Sequence, residues 1–242
     1  MSRLVLALAL SLLGGFGGLG VASLLVLLDE RRRARIVPGL VSYAVGALLA
    51  VALLDLLPQA SDTLGVRRAL AATLAGIVAF FVLEKVALWR HAGVDGSGGW
   101  STGPLVLIGD AAHNFMDGAL IGASVLVSTS LGVTTAIAVL AHEIPHEVGD
   151  FAILLHAGFG TRRALLFNAL SECAGLAGAF LAVVALYRVP TLSPYFLALA
   201  AASFIYVVMT DLLPDMHRGV VRVGAVWQVA LLLAGILTVA IL

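Results

Sequence analysis

Two runs of this sequence repeat one arrangement of donor atoms. In H-N-F-M-D, His113, Asn114 and Asp117 stand at i, i+1 and i+4; in H-E-I-P-H, His142, Glu143 and His146 do the same. Residues four apart share a helix face about 6 Å apart along the axis, and the i+1 residue is turned by about 100°. Each helix would therefore present two ligands in line and a third group beside them. Imidazole and carboxylate together suit Zn²⁺ or Fe²⁺ and match Mg²⁺ poorly. The same H-E-x-x-H spacing serves zinc peptidases, in which two histidines bind the metal and the glutamate acts as general base. That chemistry needs a third ligand, an open water position and an intact helix to aim both rings. Here ligands are in surplus, and Pro145 inside the motif removes an N–H and crowds the carbonyl four residues back. A break of that kind is tolerated at membrane depth where it lines a cavity.

More acids follow. Glu147 and Asp150 continue the second run, and Glu172 sits in S-E-C. All are embedded in apolar sequence: the 242 residues are 61% hydrophobic and 12% charged, with a mean hydropathy of +1.09. Ordinary soluble domains carry roughly 25% charged residues. The apolar excess runs along the whole chain, in stretches that repeatedly reach the roughly 20 residues needed to cross a bilayer. Breaks in apolarity predict eight helices over 4–28, 36–60, 66–90, 104–127, 132–157, 162–187, 193–215 and 220–241, in one transmembrane domain over 1–242. The first is read as a transmembrane helix rather than a cleaved leader, because its apolar run ends at a charge cluster without a small-residue cleavage site. The zero net charge and lack of a basic stripe argue against nucleic acid as a partner. Cys173 is the single cysteine, which excludes an internal disulfide and a cysteine-based metal site.

An ionisable residue at the bilayer centre costs about 2.5–3.5 kcal/mol on insertion scales, so Asp117, Glu143, Glu147, Asp150 and Glu172 together cost roughly 15 kcal/mol. That equals the stability of a whole domain, about 5–15 kcal/mol. A bound divalent cation would offset it. A hydrogen-bonded polar seam between helices is the plainer alternative, but such seams favour Ser, Thr and Asn over clustered acids and imidazoles.

Adjacent spans run in opposite directions, so the two His-led sets are related by a pseudo-two-fold axis in the membrane plane, as in inverted-repeat transporters. The second and seventh spans add D-L-L-P, with Asp55 and Pro58 in one and Asp211 and Pro214 in the other, followed by Asp215 and His217. Charge sets the orientation. With the N-terminus outside, the inner segments hold Arg31, Arg32, Arg33, Arg35, Arg90, Arg162, Arg163, Arg218 and Arg222, and the outer ones only Arg3, Arg67, Arg68 and Arg188. Both termini are therefore expected outside. Asp55 then lies near the outer face as a candidate entry point. Asp211, Asp215 and His217 lie near the inner face as candidate exits. Glu147 and Asp150 are read as orienting a ligand imidazole or as exit-path acids, and Glu84 and Lys85 as a pair or as snorkelling side chains.

H-N-F-M-D-G followed by H-E-I-P-H-E-V-G-D-F resembles the ZIP (Zrt-/Irt-like) divalent metal transporters, in the branch with H-E-I-P-H-E in the fifth helix. The L-E-K of the third span, Glu172 and both D-L-L-P segments also fit. The resemblance implies an all-α polytopic membrane protein of eight helices in a 3+2+3 inverted repeat. It further implies a binuclear site between helices four, five and six. His113, Asp117, His142 and His146 would hold the principal ion. Asn114, Glu143 and Glu172 would hold the adjacent one, with His146 as a bridge. It also implies that helices 1, 4, 5 and 6 move against 2, 3, 7 and 8.

The expected function is transport of a divalent transition metal into the cytoplasm by alternating access. Zn²⁺ is the first candidate, with Fe²⁺, Mn²⁺ and Cd²⁺ behind it as substrates. An intramembrane zinc metalloprotease and a metal-selective channel are the alternatives. The expected partners are the metal ion and the lipid bilayer, and a homodimer is compatible with the chain. Thirteen arginines against one lysine point to a GC-rich, bacterial genome; the expected location is the plasma membrane, in a bacterium the inner one.

Overall fold

In the computed structural model, which describes residues 2–92, 102–217 and 224–242, the apolar runs are helices joined by short turns. They are α1 (Arg3–Val26), α2 (Glu30–Leu64), α3 (Val66–Ala92), α4 (Thr102–Val127), α5 (Thr129–His156) and α6 (Thr161–Arg188). They continue with α7, which runs from Ser193–Val207 through Val208–Leu212 to Leu213–His217, and α8 (Ala225–Ile241). No strand occurs among the described residues. Among the described residues five helices, α1, α2, α3, α6 and the α7 segment, are long and apolar enough to cross a membrane, and α8 is a shorter apolar helix. The chain is an all-α polytopic membrane protein. The helices α4 and α5 fall outside that set and carry the His-led motifs; most of α5 is buried inside the bundle instead of facing lipid.

Two local outcomes differ from the expected breaks. The charged run after α1 is the first turns of α2, not a loop, because Asp29 caps it: its carboxylate accepts from Arg32 N at 2.9 Å. Capping satisfies an orphan amide and lets a charged segment start a helix. At the other end α2 runs on to Leu64 and stops at Gly65, whose φ of +80° suits glycine. The second outcome concerns proline. The helix α5 passes Pro145 without interruption. The irregularities lie instead in the D-L-L-P segments, where Val51–Leu56 and Val208–Leu212 form π turns. Leu57 and Leu213, just ahead of Pro58 and Pro214, each donate five residues back, to the Ala52 and Val208 carbonyls. The expected loop around residues 93–101, together with Arg218 and Arg222, lies outside the described residues.

The helices pack as two quartets. Each of α1, α4, α5 and α6 touches the other three, while α2 packs on α3, α7 and α8, and α3 on α7. The main contacts between quartets are α2 with α5 and α4 with α7. Exchanging 1 with 6, 2 with 7, 3 with 8 and 4 with 5 carries each of these contacts onto another, apart from that of α2 with α3. Glycines allow the closest approaches: a Cβ at Gly118 or Gly178 would strike the backbone of the facing helix, at Gly175 and Phe115 respectively. The apolar core, including Leu48, Val51, Leu56, Leu120, Ile121, Val139 and Phe204, fills the bundle on one side of the His-led motifs.

Candidate metal centre

The side chains of His113 and Asp117 on α4 meet those of His142 and Glu143 on α5, and four donor atoms form a cage. His113 Nε2 lies 3.2 Å from His142 Nε2, 3.7 Å from Asp117 Oδ2 and 3.3 Å from Glu143 Oε1. His142 Nε2 lies 2.9 Å from Asp117 Oδ2 and 3.4 Å from Glu143 Oε1. Zinc bonds of about 2.0–2.2 Å in a tetrahedron separate ligand atoms by about 3.3–3.6 Å. Four of these five edges lie within about 0.1 Å of that range and the fifth, His142 to Asp117, is shorter, with the same four atoms used throughout.

The electronics agree with the geometry. His142 Nδ1 is 3.0 Å from the Ala138 carbonyl oxygen. A carbonyl only accepts, so Nδ1 carries the proton and Nε2 presents its lone pair to the cage. Asp117 Oδ2 and both Glu143 carboxylate oxygens are buried without a hydrogen-bond donor. His142 is 2% exposed and Glu143 fully buried. Unpaired buried carboxylate oxygens are costly; a cation held by two carboxylates and two neutral imidazoles would balance them.

A second group adjoins the first through Glu143. Glu147 and Glu172 complete it, and Asn168 Nδ2 on α6 donates to Glu147 Oε2 at 2.9 Å. Asn114, Asp117, Glu143 and Glu172 also line a void of about 10 Å³, room for a single small species. On its far wall Gly15 of α1 faces Glu172, and any Cβ there would collide with the carboxylate. Asn114 Oδ1 and Glu172 Oε1 are buried without partners.

His146 stands elsewhere. Its Nδ1 is 3.9 Å from Asp110 Oδ1 and 3.9 Å from Asp150 Oδ2, and its ring centroid is 4.9 Å from that of His113. Glu143, not His146, takes the fourth corner of the cage. Asp110 and Asn168 were missed in the sequence. Asp110 lies one turn before Asn114, whose Nδ2 donates to it at 3.1 Å, so the i, i+4 spacing could have found it. The Asn168–Glu147 bond joins two helices, and no spacing signals it.

A cavity of about 680 Å³ opens beside His113, His142 and Pro145 and runs past Asp150 to Asp211. It lies at the starts of α2 and α4 and the ends of α5 and α7, the side of the arginine-rich turns. Asp55 is in the opposite half, beside the Thr134 hydroxyl. The side chains of Asp215 and His217 lie outside those described. Glu84 accepts from Tyr206, and Lys85 Nζ sits 5.3 Å from the Phe81 ring centroid, so neither reaches the centre.

A family model described as ZIP Zinc transporter matches residues 101–242, which include all of α4 to α6. The chain belongs to the ZIP family. Among similar curated proteins, human zinc transporter ZIP4 is 42% identical over 128 residues, which is 53% of this chain and 19% of that protein. Human metal cation symporter ZIP8 is 46% identical over 114 residues, 47% of this chain and 24% of that one. Zebrafish (Danio rerio) zinc transporter ZIP10 is 38% identical over 115 residues, 48% and 14% respectively. The matched stretch therefore spans less than a quarter of each of these relatives. The ZIP match and the cage coincide on the same residues of α4 and α5.

Proposed function

We propose that this ZIP protein carries a divalent transition-metal ion, Zn²⁺ first, across a membrane into the cytoplasm by alternating access. The observation that carries the reading is the buried cage of His113, Asp117, His142 and Glu143, with near-tetrahedral donor spacing and unpartnered carboxylate oxygens. The adjacent void among Asn114, Glu143 and Glu172 supports a second ion beside the first, with Glu143 shared. Similarity to proteins named as zinc transporters favours Zn²⁺, and the mixed N/O donor set accommodates Fe²⁺, Mn²⁺ and Cd²⁺ as well.

The arginine-rich turns make the cavity side cytoplasmic and put both termini outside. The ion would then leave past Asp150 and Asp211, while its route from Asp55 is closed by packed apolar side chains, including Val51, Leu56, Leu120 and Val139. A site open on one side and sealed on the other suits a carrier better than a pore. The two quartets supply bodies that could rock against each other about the α2–α5 and α4–α7 contacts. A peptidase reading fares worse, because His142 and His146 turn to different groups of partners.

The test is ⁶⁵Zn uptake into proteoliposomes. His142→Ala removes one corner of the cage, and uptake is expected to fall to the protein-free background. Uptake retained by a properly inserted His142→Ala protein overturns the reading.

A further inference from the structure

We infer that the groove between the end of α1, the start of α2 and the last turns of α5 binds an anionic phospholipid. Its phosphate would sit at Arg33 and His156 and one acyl chain would lie along α5. The inference rests on the membrane-spanning fold and not on the transport reading. The groove encloses about 480 Å³. Val26 of α1 and Val148, Phe151, Ala152 and Leu155 of α5 make its apolar wall, while Arg33 and His156 supply its polar end. His156 is the last residue of α5 and Arg33 lies in the first turn of α2, so the polar end is at the membrane edge. Val148, Phe151 and Leu155 stand at i, i+3 and i+7, a stripe along one face of α5 about 10 Å long that leads inward from that edge. Such a wall fits a molecule that is oily along its length and anionic at its head.

The charge at the head is uncommitted. Arg32 pairs with Asp29 at 3.1 Å, but among the described residues Arg33 pairs with no carboxylate. Arg33 is half-buried, and its Nη1 stands 3.5 Å from the Val26 carbonyl oxygen, longer than an ordinary hydrogen bond. That contact steadies the guanidinium beside the groove and leaves most of its five donors free for phosphate oxygens. More arginines converge on the same side. Arg31 and Arg35 are exposed on the first turns of α2, and Arg162 and Arg163 open α6. Ala164, next to them, packs in one cluster with Phe151 and Val26 of the groove. Asp29, already bonded to Arg32, and Glu30 are the acids of the α1–α2 turn. Basic pockets between membrane helices on the arginine-rich side take acidic lipid headgroups.

Lipid counting by native mass spectrometry tests it. The full-length protein in detergent is titrated with dioleoyl phosphatidylglycerol, with dioleoyl phosphatidylcholine and with glycerol 3-phosphate as the headgroup alone. Phosphatidylglycerol is expected to be retained in preference to the other two. Arg33→Gln should weaken it about fivefold, or about 1 kcal/mol, the contribution of one basic side chain beside acidic lipid, and Arg33→Lys should restore most of the loss. Leu155→Gln leaves every charge in place and should also weaken the lipid, whereas Arg67→Gln, at the far end of the bundle, should change nothing. Phosphatidylglycerol affinity unchanged by Arg33→Gln and Leu155→Gln, or lowered equally by Arg67→Gln, overturns the site. So does equal retention of the two lipids, and glycerol 3-phosphate bound as tightly as the lipid would replace it with a free-phosphate site. None of these readouts needs a bound metal, so failure here and failure of ⁶⁵Zn uptake are separate results.

Discussion

Asp55 in α2 and Asp211 in α7 open the same four residues, D-L-L-P, and both segments pass through a π turn ahead of the proline. Their surroundings differ. Asp55 Oδ2 is buried without a donor and its neighbours Val51, Ala52 and Leu56 are fully enclosed. Asp211 is exposed on the wall of the cavity. Like sequence and like backbone in unlike settings mean that access is not a property of either segment. It follows from how the helices around each segment pack. π turns in an otherwise α-helical segment are frequent at functional sites.

Labelling should break this comparison most sharply if it is wrong. In a Cys173→Ser background, Asp211→Cys is expected to react fully with a water-soluble maleimide while Asp55→Cys stays unlabelled; equal rates would mean that the two sides are equally open. Acidification comes next. Imidazole ligands bind metal only when neutral, so Zn²⁺ affinity is expected to fall as pH drops from 7.5 to 5. Competition titrations between pH 7.5 and 5 measure this, and a flat profile would argue against histidine ligation. The prolines give a smaller effect. Pro58→Ala and Pro214→Ala restore an N–H and permit α-helix to close across each π turn. Each is expected to slow uptake by of order tenfold, a barrier change of about 1.4 kcal/mol, with bound metal unaltered. An effect confined to one proline would mean that the two turns are not equivalent. Cys173→Ser should change neither uptake nor metal content, because Cys173 is exposed and its thiol bonds the Ala169 carbonyl of its own helix.

The helices, and the meeting of His113, Asp117 and His142, could be read from the chain because apolar length and i, i+4 spacing are properties of single helices. What spacing does not carry is how one helix is rotated against another. For that reason the sequence grouped His146 with His142, whereas in the bundle Glu143 faces the cage and His146 faces Asp110. The charged start of α2 reads as a loop in the sequence, since arginines at a membrane edge look the same in either state and only the Asp29 cap distinguishes them. The sequence suggests a break at Pro145, whereas the irregular turns end two residues ahead of Pro58 and Pro214. Composition could not separate three prolines in equally apolar surroundings.

The central claim is that the buried acids and imidazoles are tolerated because a cation sits among them. X-ray absorption at the zinc edge of the purified, Zn²⁺-equilibrated protein tests it most directly. The account predicts tightly held zinc with nitrogen and oxygen neighbours at about 2.0–2.2 Å and an imidazole signature that weakens in His142→Ala. Zinc that washes away from the wild type, or an imidazole signature unaltered in that variant, would contradict it.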